Sequence, residues 1–520
     1  MKHFFARGIR LAQLFSFIFF CSCAQNLPAI SSDQPLGPEP HLNTNTTLAD
    51  FSAAANKDHP EKSGLLLLRD GQRALAERML LADMAEQRID AQYYIWNSDR
   101  SGRFLMQGLL RAADRGVTVR LLLDDFSVGG RNDQLMVINH HPNLEVRIYN
   151  PFIMRSALGK WLNFAFDFDR LNRRMHNKTF AVDGAVAITG GRNIGDEYFA
   201  ANEHINFSDM DVLSVGPVVT QVNRSFNEYW NSPWAVPVDE LIEYTGETKA
   251  LEEFMQSRLE SPLRTPLPAG TEKLLRHYRQ MLLEDVVWAQ ADFMADAPGG
   301  TQDAYTGGLK KVAGYLRELA DDTREEILIE SAYFVLDEAV LQLVEDIRRR
   351  GVVVRALTNS MASNDVLPNH VSYAMVRKDM LRHGIELYEM RPDAKACLQL
   401  VGLREYCDDD SALGLHAKTA VFDRRVVYVG SLNFNLRSAY LNTEAAMIVD
   451  SPVLADELAD QILENMQHQN SWQVLLEADG LVWVADIDGQ QSFLQEEPST
   501  SWLKRTQAGF FMLLPGALYY

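Results

Sequence analysis

A duplicated signature constrains the fold of this chain more than any other feature. The residues HNKTFAVDGAVAITGGRN begin at His176, and HAKTAVFDRRVVYVGSLN begin at His416. In both copies a lysine follows the histidine by two positions, an aspartate by seven and an asparagine by seventeen. Agreement at identical spacing indicates an internal repeat, so the chain must build two copies of one structural unit.

The two copies also agree in the segments that precede the signature. RIDAQYYIWNSDRSGRFLMQGLLRAADRGVTVRLLLDD begins at Arg88, and EILIESAYFVLDEAVLQLVEDIRRRGVVVRALTNS begins at Glu326. Each segment predicts a strand, an amphipathic helix that ends near a glycine (Gly116 or Gly351), and a β-branched strand. Such a βαβ unit implies parallel strands, with helices covering the sheet.

The spacing inside the signature places its polar residues together. Residues two apart on a strand point to the same face, so each histidine and its lysine can contact one ligand. A hairpin at Asp183 returns the chain and brings the asparagine close to the histidine. Asp183 lies five residues from Lys178, about 16 Å along an extended strand. We therefore expect Asp183 and Asp423 to fix the hairpin rather than to touch the bound group.

A phosphate ester is the ligand that these side chains favour. Lysine and asparagine can bind the non-bridging oxygens while one imidazole attacks phosphorus, and a second histidine must protonate the leaving alcohol. Two copies that face each other across a pseudo-two-fold axis meet both needs. The predicted fold class is therefore α/β, with two repeated lobes of mixed sheet flanked by helices and one active site at their interface.

Each histidine also needs a carboxylate at its second ring nitrogen, which fixes the tautomer. Asp211 and Glu444 are the predicted partners, because both begin the strand that follows the signature. Asp209 competes with Asp211 for this role. The alternative interpretation is that these acids are turn residues at the start of a strand.

These residues resemble the phospholipase D superfamily, whose H-x-K-x4-D signature occurs twice in one chain and forms one site between two α/β lobes. The resemblance covers about Lys62 to Asn470, and QYYIW, GGRNIGDEYF, SDMDV and SLNFNLRSAYLNTE are similar to the bacterial cardiolipin synthase C group. It implies a phosphatidyltransferase that joins two phospholipids into cardiolipin through a phosphohistidine, without a metal or another cofactor. The implied catalytic residues are His176, Lys178, Asp183, His416, Lys418 and Asp423, and the implied substrate-binding residues are Asn193 and Asn433.

The resemblance implies phosphatidylglycerol and phosphatidylethanolamine as substrates, on a membrane surface. A hydrolytic phospholipase that releases phosphatidic acid is the alternative, because the catalytic residues do not decide whether water or a lipid alcohol accepts the phosphatidyl group. A nuclease is disfavoured by the formal net charge of −20, which repels polyanions. A non-enzymatic lipid-binding scaffold has no need of a second histidine. A local basic cluster (Arg170, Arg173, Arg174 and Lys178) predicts attraction for an anionic head group, with ordinary surface arginines as the alternative.

The beginning of the chain predicts export. Three basic residues precede an apolar run, Leu11–Phe20, that is too short to span a bilayer. Residues 1–22 resemble a bacterial lipoprotein signal, with Cys23 as the lipid attachment site and residues 23–62 as a flexible tether. Because Phe20 stands where a smaller aliphatic residue is usual, secretion or an uncleaved anchor remain alternatives. The expected location is the periplasmic side of a membrane.

The remaining divisions are lobe 1 (63–235), a helical insertion (236–302), lobe 2 (303–470) and a membrane-proximal tail (471–520). The insertion either lines an acyl entrance or covers the sheet. In the tail, Lys504 and Arg505 precede an aromatic-rich segment that predicts an interfacial anchor or an element packed on the body. Cys397 and Cys407 form a disulfide or remain two buried thiols.

Overall fold

The structure, a computed structural model, describes residues 45–128, 131–152, 154–155, 159, 163, 167–242, 280, 284–300, 309–397, 412–487 and 489–512. Within these ranges, no helix has both the length and the apolar character that crossing a bilayer requires. The predicted signal peptide, Cys23 and Cys407 lie outside the described residues.

The first lobe alternates strands and helices up to the signature. Its elements are α1 (Thr47–Asn56), β1 (Ser63–Leu68), α2 (Gly71–Met84), β2 (Arg88–Tyr93), α3 (Arg100–Asp114), β3 (Thr118–Asp124), α4 (Asn132–Asn139), β4 (Leu144–Tyr149) and the short α5 (Phe168–Leu171). The signature and its continuation supply β5 (Thr179–Val182), β6 (Val186–Gly190), β7 (Ile205–Ser208), β8 (Asp211–Val215), α6 (Pro217–Trp230), β9 (Ala235–Pro237) and α7 (Val238–Leu241).

The second lobe repeats this order. Its elements are β10 (Val287–Ala295), α8 (Lys311–Asp322), β11 (Glu326–Ser331), α9 (Glu338–Arg349), β12 (Val353–Asn359), α10 (Leu367–Arg382) and β13 (Glu386–Met390). They are followed by β14 (Ala412–Leu415), β15 (Lys418–Phe422), β16 (Val426–Gly430), α11 (Leu436–Tyr440), β17 (Ala445–Asp450) and α12 (Pro452–Asn465). The chain continues through β18 (Ser471–Glu477), β19 (Gly480–Ile487), β20 (Gln490–Leu494) and α13 (Trp502–Phe511).

Local chemistry sets the boundaries of the two βαβ units. Asp99 caps α3 by accepting a hydrogen bond from the Gly102 amide at 3.0 Å, and Asp337 caps α9 in the same way through Val340 at 2.9 Å. Both helices are followed by a glycine in the left-handed region, Gly116 at φ 99° and Gly351 at φ 94°, where a side chain would be strained. Strands β2 and β3, and β11 and β12, are parallel, which confirms the predicted units.

Both lobes contain a mixed sheet with the same arrangement. In the first lobe the strands run in the order β9-β4-β3-β2-β5-β6-β8-β1, and in the second the order is β20-β19-β18-β13-β12-β11-β15-β16-β17-β10. The parallel core is β2-β3-β4 in one lobe and β11-β12-β13 in the other. The fold class predicted from the repeat is confirmed.

Strand β10 joins the two sheets. Its first residues pair with β1 of lobe 1, Ser63 opposite Ala289, and its remainder pairs with β17 of lobe 2, Gln290 opposite Asp450. This strand falls in the stretch predicted as a helical insertion, so that prediction is wrong for Val287–Ala295. The physical reason is that β10 is the repeat counterpart of β1. Its backbone hydrogen bonds to the edge strand of each sheet, β1 in lobe 1 and β17 in lobe 2, so that neither edge is left unpaired there.

Two other predicted segments contain regular structure, a helix in the predicted flexible tether and, in the tail, a packed element that is one of its two predicted alternatives; residues 513–520 of the tail lie outside the described residues. Helix α1 lies inside the predicted tether, is capped by Thr46 and buries Leu48 in the core of lobe 1. In the predicted tail, β18 pairs with β13 and extends the sheet of lobe 2, while α13 packs against α10 through Ala508 and Phe511. Cys397 is disulfide-bonded.

The lobes also meet away from β10. Strands β7 and β14 form a two-stranded parallel sheet across the interface, with Ser208 opposite Leu415 at its end. An apolar cluster contains side chains of both lobes, among them Val212, Val427 and Met447. Burial of this cluster holds the two halves of the site in one fixed arrangement.

Candidate active site

His176 is positioned by main-chain contacts with the opposite lobe. Its amide donates to the carbonyl oxygen of Thr443 at 2.8 Å, and the Thr443 amide donates to the carbonyl of Arg174 at 2.9 Å. The two segments therefore run side by side as a parallel bridge. This contact brings Glu444 beside His176, with 2.8 Å between Glu444 Oε2 and His176 Nδ1.

His416 is positioned by the equivalent contact in the other half of the site. Because β7 and β14 are parallel and end together, the residues that follow them, Asp209 and His416, become neighbours. The His416 amide donates to the carbonyl of Ser208 at 2.8 Å, and Asp209 Oδ2 lies 2.6 Å from His416 Nδ1. Each histidine thus receives its carboxylate from the other lobe.

Asp211 is not a partner of either histidine, so its predicted role is wrong and the competing Asp209 fills it. Asp211 lies at the start of β8, fully buried, where its carboxylate accepts from Arg78 Nη2 at 2.9 Å and from the Arg192 amide at 3.2 Å. Two buried arginines require a counter-charge at this position. Asp211 therefore neutralises the interior of lobe 1.

The two lysines lie directly beside their histidines. Lys178 Nζ donates to the carbonyl oxygen of His176, and Lys418 Nζ donates to that of His416 and lies 3.0 Å from His416 Nδ1. Both side chains are almost fully buried. Among the described residues, no carboxylate lies within ion-pair distance of either ammonium group. An anion such as a phosphodiester is the partner that this arrangement lacks.

Asp183 and Asp423 stabilise their hairpins, as their distance from the lysines predicts, and the catalytic role that the resemblance implies for them is therefore wrong as a contact with the reacting group. Asp183 accepts from the backbone amides of residues 86–88, at 2.8–3.0 Å, and Asp423 accepts from those of residues 324–326, at 2.7–3.2 Å. Both adopt a positive φ, near 50°. These carboxylates hold the turn against the start of β2 and β11, at the strand ends that point away from the histidines.

Burial and charge keep the imidazoles neutral when no anion is bound. Burial lowers the pKa of His176 to about 4, although Glu444 acts in the opposite direction. Burial, followed by the charges of Lys418 and Lys178, lowers the pKa of His416 well below its usual range. Burial lowers the pKa of Lys418 to about 8. Charges from both copies act on His416, as expected for one shared site.

A cavity of about 940 Å³ opens between the lobes and contains both imidazoles. Three tyrosines line it, and two of them contact the catalytic rings edge-on: Tyr94 lies 5.0 Å from His176 and Tyr198 lies 4.9 Å from His416, centroid to centroid. The third, Tyr333, donates its hydroxyl to Asp365 at 3.0 Å. Exposed Phe126 and Phe168 form part of its mouth. The wall combines polar groups near the histidines with apolar rings further out.

Asn193 and Asn433, the predicted substrate-binding residues, both line this cavity. Asn193 already bonds within the protein, because its Oδ1 accepts from the Ile95 amide at 3.1 Å and its Nδ2 donates to the Tyr198 hydroxyl at 3.2 Å. Asn433 Oδ1 is buried without a hydrogen-bond partner in the described part of the chain. Asn433 is therefore the more available of the two for a ligand.

The predicted basic cluster divides into three different roles. Arg174 is buried and pairs with Asp124 at 2.7 Å, and Arg170 pairs with Asp167 at 2.6 Å. Only Arg173 lines the cavity. Attraction of an anionic head group stays a prediction, and the location in the cavity favours Arg173 for it.

The two copies of the signature differ in the residue that lies beside the acid of each histidine. Ser431 donates to Glu444 Oε2 at 2.5 Å, and so fixes the acid of His176. Gly191 occupies the equivalent position, where a Cβ would lie 2.1 Å from Asp209 Oδ1. Sequence reasoning missed Tyr94, Tyr198 and the cavity residue Arg437. Their only signal is that they interrupt the repeat, since the copies diverge at these positions.

Comparison with known proteins identifies the repeat. A family described as "Cardiolipin synthase, PLD-like domain" matches residues 80–230 and 316–468. The chain is 40% identical over 470 residues to cardiolipin synthase C of Escherichia coli (strain K12), and the match covers 88% of this chain and 96% of that protein. It is 22% identical over 417 residues to a cardiolipin synthase of Clostridium perfringens (strain SM101 / Type A), covering 79% and 72%.

Among solved structures, phosphatidylserine synthase from Haemophilus influenzae Rd KW20 has a similar fold. The TM-score is 0.50 at 13% sequence identity, and the match covers 88% of this chain and 97% of that one. At this identity the likeness concerns the fold alone. It supports the two-lobed arrangement described above.

Proposed function

The chain belongs to the phospholipase D-like family of cardiolipin synthases, and from this premise we propose that it is a phosphatidyltransferase that joins two phospholipids into cardiolipin. The observation that carries the proposal is the crosswise pairing of His176 with Glu444 and of His416 with Asp209. A site with two oriented imidazoles has both a nucleophile and an acid–base group for a two-step transfer.

In the first step, His176 is the proposed nucleophile. A Nδ1–H donated to Glu444 leaves the lone pair on Nε2, and a low pKa keeps the ring neutral. Nε2 attacks phosphorus, and the bond from phosphorus to the head-group oxygen breaks. His416 gives that oxygen its proton, so an alcohol leaves and a phosphatidyl group remains on His176.

In the second step, His416 takes the proton of the acceptor alcohol, whose oxygen attacks phosphorus and displaces Nε2 of His176. Protonation of His416 requires the bound phosphodiester, because its negative charge offsets the two effects that depress the pKa of His416, burial first and then the ammonium groups of Lys418 and Lys178. The lysines neutralise the charge that develops on the phosphoryl oxygens. Both histidines end the cycle in their starting states.

We propose a bilayer, at the periplasmic face of a bacterial membrane, as the place where this site works, with Cys23 as the lipid anchor. The signal-like first residues support the location. The exposed side of α13 supports the contact, since Trp502 and Phe510 are 71% and 64% exposed. Helix α13 also packs on α10, whose first residues line the cavity.

Lipid analysis tests the proposed reaction. The full-length chain, expressed in cells that lack their own cardiolipin synthases, is expected to produce cardiolipin. His176→Ala and His416→Ala are each expected to reduce the product by at least about a hundredfold, the usual contribution of a general acid–base or nucleophilic group.

Phosphatidic acid is measured in the same extracts, because its accumulation without cardiolipin would identify a hydrolase. Mapping of the phosphorylated residue after trapping with substrate separates the two histidines. A label on His416 would reverse the proposed roles, and full activity of either alanine variant would refute the two-histidine mechanism.

A further inference from the structure

The proposed reaction makes a demand that the catalytic pair alone does not meet. When two phospholipids are joined, the acceptor alcohol is itself part of a phosphodiester. The cavity must therefore hold two anionic groups at once, one that reacts and one that does not. The histidine–lysine pairs account for the reacting phosphate, so a second cationic position is required.

Arg437 has the location and the charge for this second position. It lies on α11 and lines the cavity that contains His176 and His416. Its guanidinium donates to Oδ1 and the carbonyl oxygen of Asn172, at 3.1 and 3.3 Å. It forms no ion pair with any carboxylate in the described ranges. A partly buried guanidinium without an ion-pair partner is unfavourable, and a bound anion reduces that cost.

The repeat shows that this charge is specific to one half of the site. Arg437 follows the signature residue Asn433 by four positions, and the residue four positions after Asn193 is Glu197. The two copies agree in their catalytic residues but carry opposite charges here. A site that bound both phospholipids in the same way would not need opposite charges at positions 437 and 197.

Four charged side chains besides the histidines line the cavity in the described part of the chain: Arg437, Asp365, Asp169 and Arg173. Asp169 and Arg173 lie on either side of Asn172 in the chain and carry opposite charges, so the net charge of this pair is small. Asp365 lines the cavity on the side of His416, where its charge acts on Tyr198 and Lys418. Arg437 instead interacts electrostatically with Tyr94, the tyrosine that contacts His176. A second phosphate is therefore repelled by the Asp365 wall and attracted by the Arg437 wall.

We propose that Arg437 binds the non-reacting phosphate of the acceptor phospholipid and so favours a lipid alcohol over water or small neutral alcohols. This inference rests on the proposed transferase function. Donor binding and chemistry remain with the histidine–lysine pairs. Loss of Arg437 should therefore change which acceptor is used, more than how fast the phosphatidyl-enzyme forms.

A partition experiment tests the assignment. The purified full-length chain receives acyl-labelled phosphatidylglycerol in mixed micelles that also contain ethanol, and labelled cardiolipin, phosphatidic acid and phosphatidylethanol are quantified together. In Arg437→Gln, the ratio of cardiolipin to the other two products is expected to fall about tenfold or more, the loss expected for a hydrogen bond to a charged group. The summed formation of the other two products should stay within about twofold of wild type.

The ratio does not depend on how much of the variant is folded, since all products come from the same active molecules. Arg437→Lys should recover part of the ratio, and Arg349→Gln, an exposed arginine on α9, should leave it unchanged. An unchanged ratio in Arg437→Gln, or an equal fall of all three products, would overturn the assignment. Wild type that forms phosphatidic acid and phosphatidylethanol but no cardiolipin would refute the proposed function, and the inference with it.

Discussion

Asp209 and Asp211 lie two positions apart and have different roles. Asp209 orients His416 across the interface, whereas Asp211 neutralises Arg78 and Arg192. Asp209→Asn is expected to lower kcat for cardiolipin formation about a hundredfold or more, because the imidazole loses the carboxylate that fixes its tautomer and stabilises its protonated form. The pH profile of kcat should shift as well, which a purely structural defect would not produce.

Asp211→Asn serves as the matched control. It leaves two buried guanidinium groups without their counter-charge and should lower the free energy of unfolding by about 3 kcal/mol or more. The folded fraction should keep nearly the wild-type kcat and pH profile. If the two variants had the same kinetic defect, the division of roles read from the distances would be incorrect.

At this scale, sequence reasoning identifies residue types better than partners. Duplication at fixed spacing was enough to select both histidine–lysine pairs, and the strand geometry correctly separated Asp183 from the lysine. The choice between Asp209 and Asp211 depends on β7 pairing with β14, strands that lie about 200 positions apart and give no local signal. Arg437 likewise has no local sequence signal, because its role depends on its position in the cavity wall.

Helix α13 is the element whose exposed face has no partner in the described chain. Trp502, Leu503 and Phe510 fall within an arc of about 100° on the side opposite Ala508. Replacing Trp502 and Phe510 with glutamate should weaken binding to phosphatidylglycerol vesicles more than tenfold in a sedimentation assay, since burying one such ring contributes about 2 kcal/mol. Hydrolysis of a soluble, short-chain phosphodiester should be unaffected.

Val453→Glu provides the control for that experiment. Val453 is 62% exposed on α12, near the end of β17 that points away from Glu444. It introduces one glutamate at a comparably exposed apolar position outside the proposed contact, and is compared with each of the single variants Trp502→Glu and Phe510→Glu as well as with the double variant. Equal loss of vesicle binding in both cases would indicate a general charge effect and would argue against α13 as the membrane-contacting surface.

Elements inside the repeat were predictable because both copies carry the same alternation and the same glycine after the helix. Strand β10 was not, because VWAQADFMA has mixed polarity and follows a segment with helical spacing. Its partners, β1 and β17, lie far away in the chain. Extending the repeat upstream to the β1–α2 unit would have predicted a strand there.

For the whole molecule, we expect the site to reduce acid stability. In the folded chain burial lowers the pKa of His176 to about 4, so the unfolded chain, with an ordinary pKa near 6.5, binds its proton first as the pH falls. Folding stability therefore decreases from about pH 6.5 to pH 4. The double variant His176→Gln/His416→Gln should lose less stability over this window.

Thermal unfolding of wild type and the double variant at pH 7.5 and pH 4.5 measures this difference. The gap in unfolding free energy should widen at the lower pH by about 3–5 kcal/mol in favour of the variant, since one pKa unit corresponds to about 1.4 kcal/mol and each of the two histidines contributes up to about two units. Carboxylates away from the site titrate in both proteins and cancel in the comparison, whereas Glu444 and Asp209 lose their histidine partners in the variant and contribute to the difference. A gap that stays constant with pH would mean that the histidines are not buried in the neutral state.

Because each histidine receives its carboxylate from the other lobe, catalysis depends directly on the interface between the lobes. If the halves part slightly, Glu444 and Asp209 leave both imidazoles in the same event, so no intermediate state retains one competent histidine. Catalytic activity therefore reports directly on whether the two lobes are correctly packed against each other. A substitution far from the cavity that separates the lobes would therefore abolish activity without altering any residue of the signature.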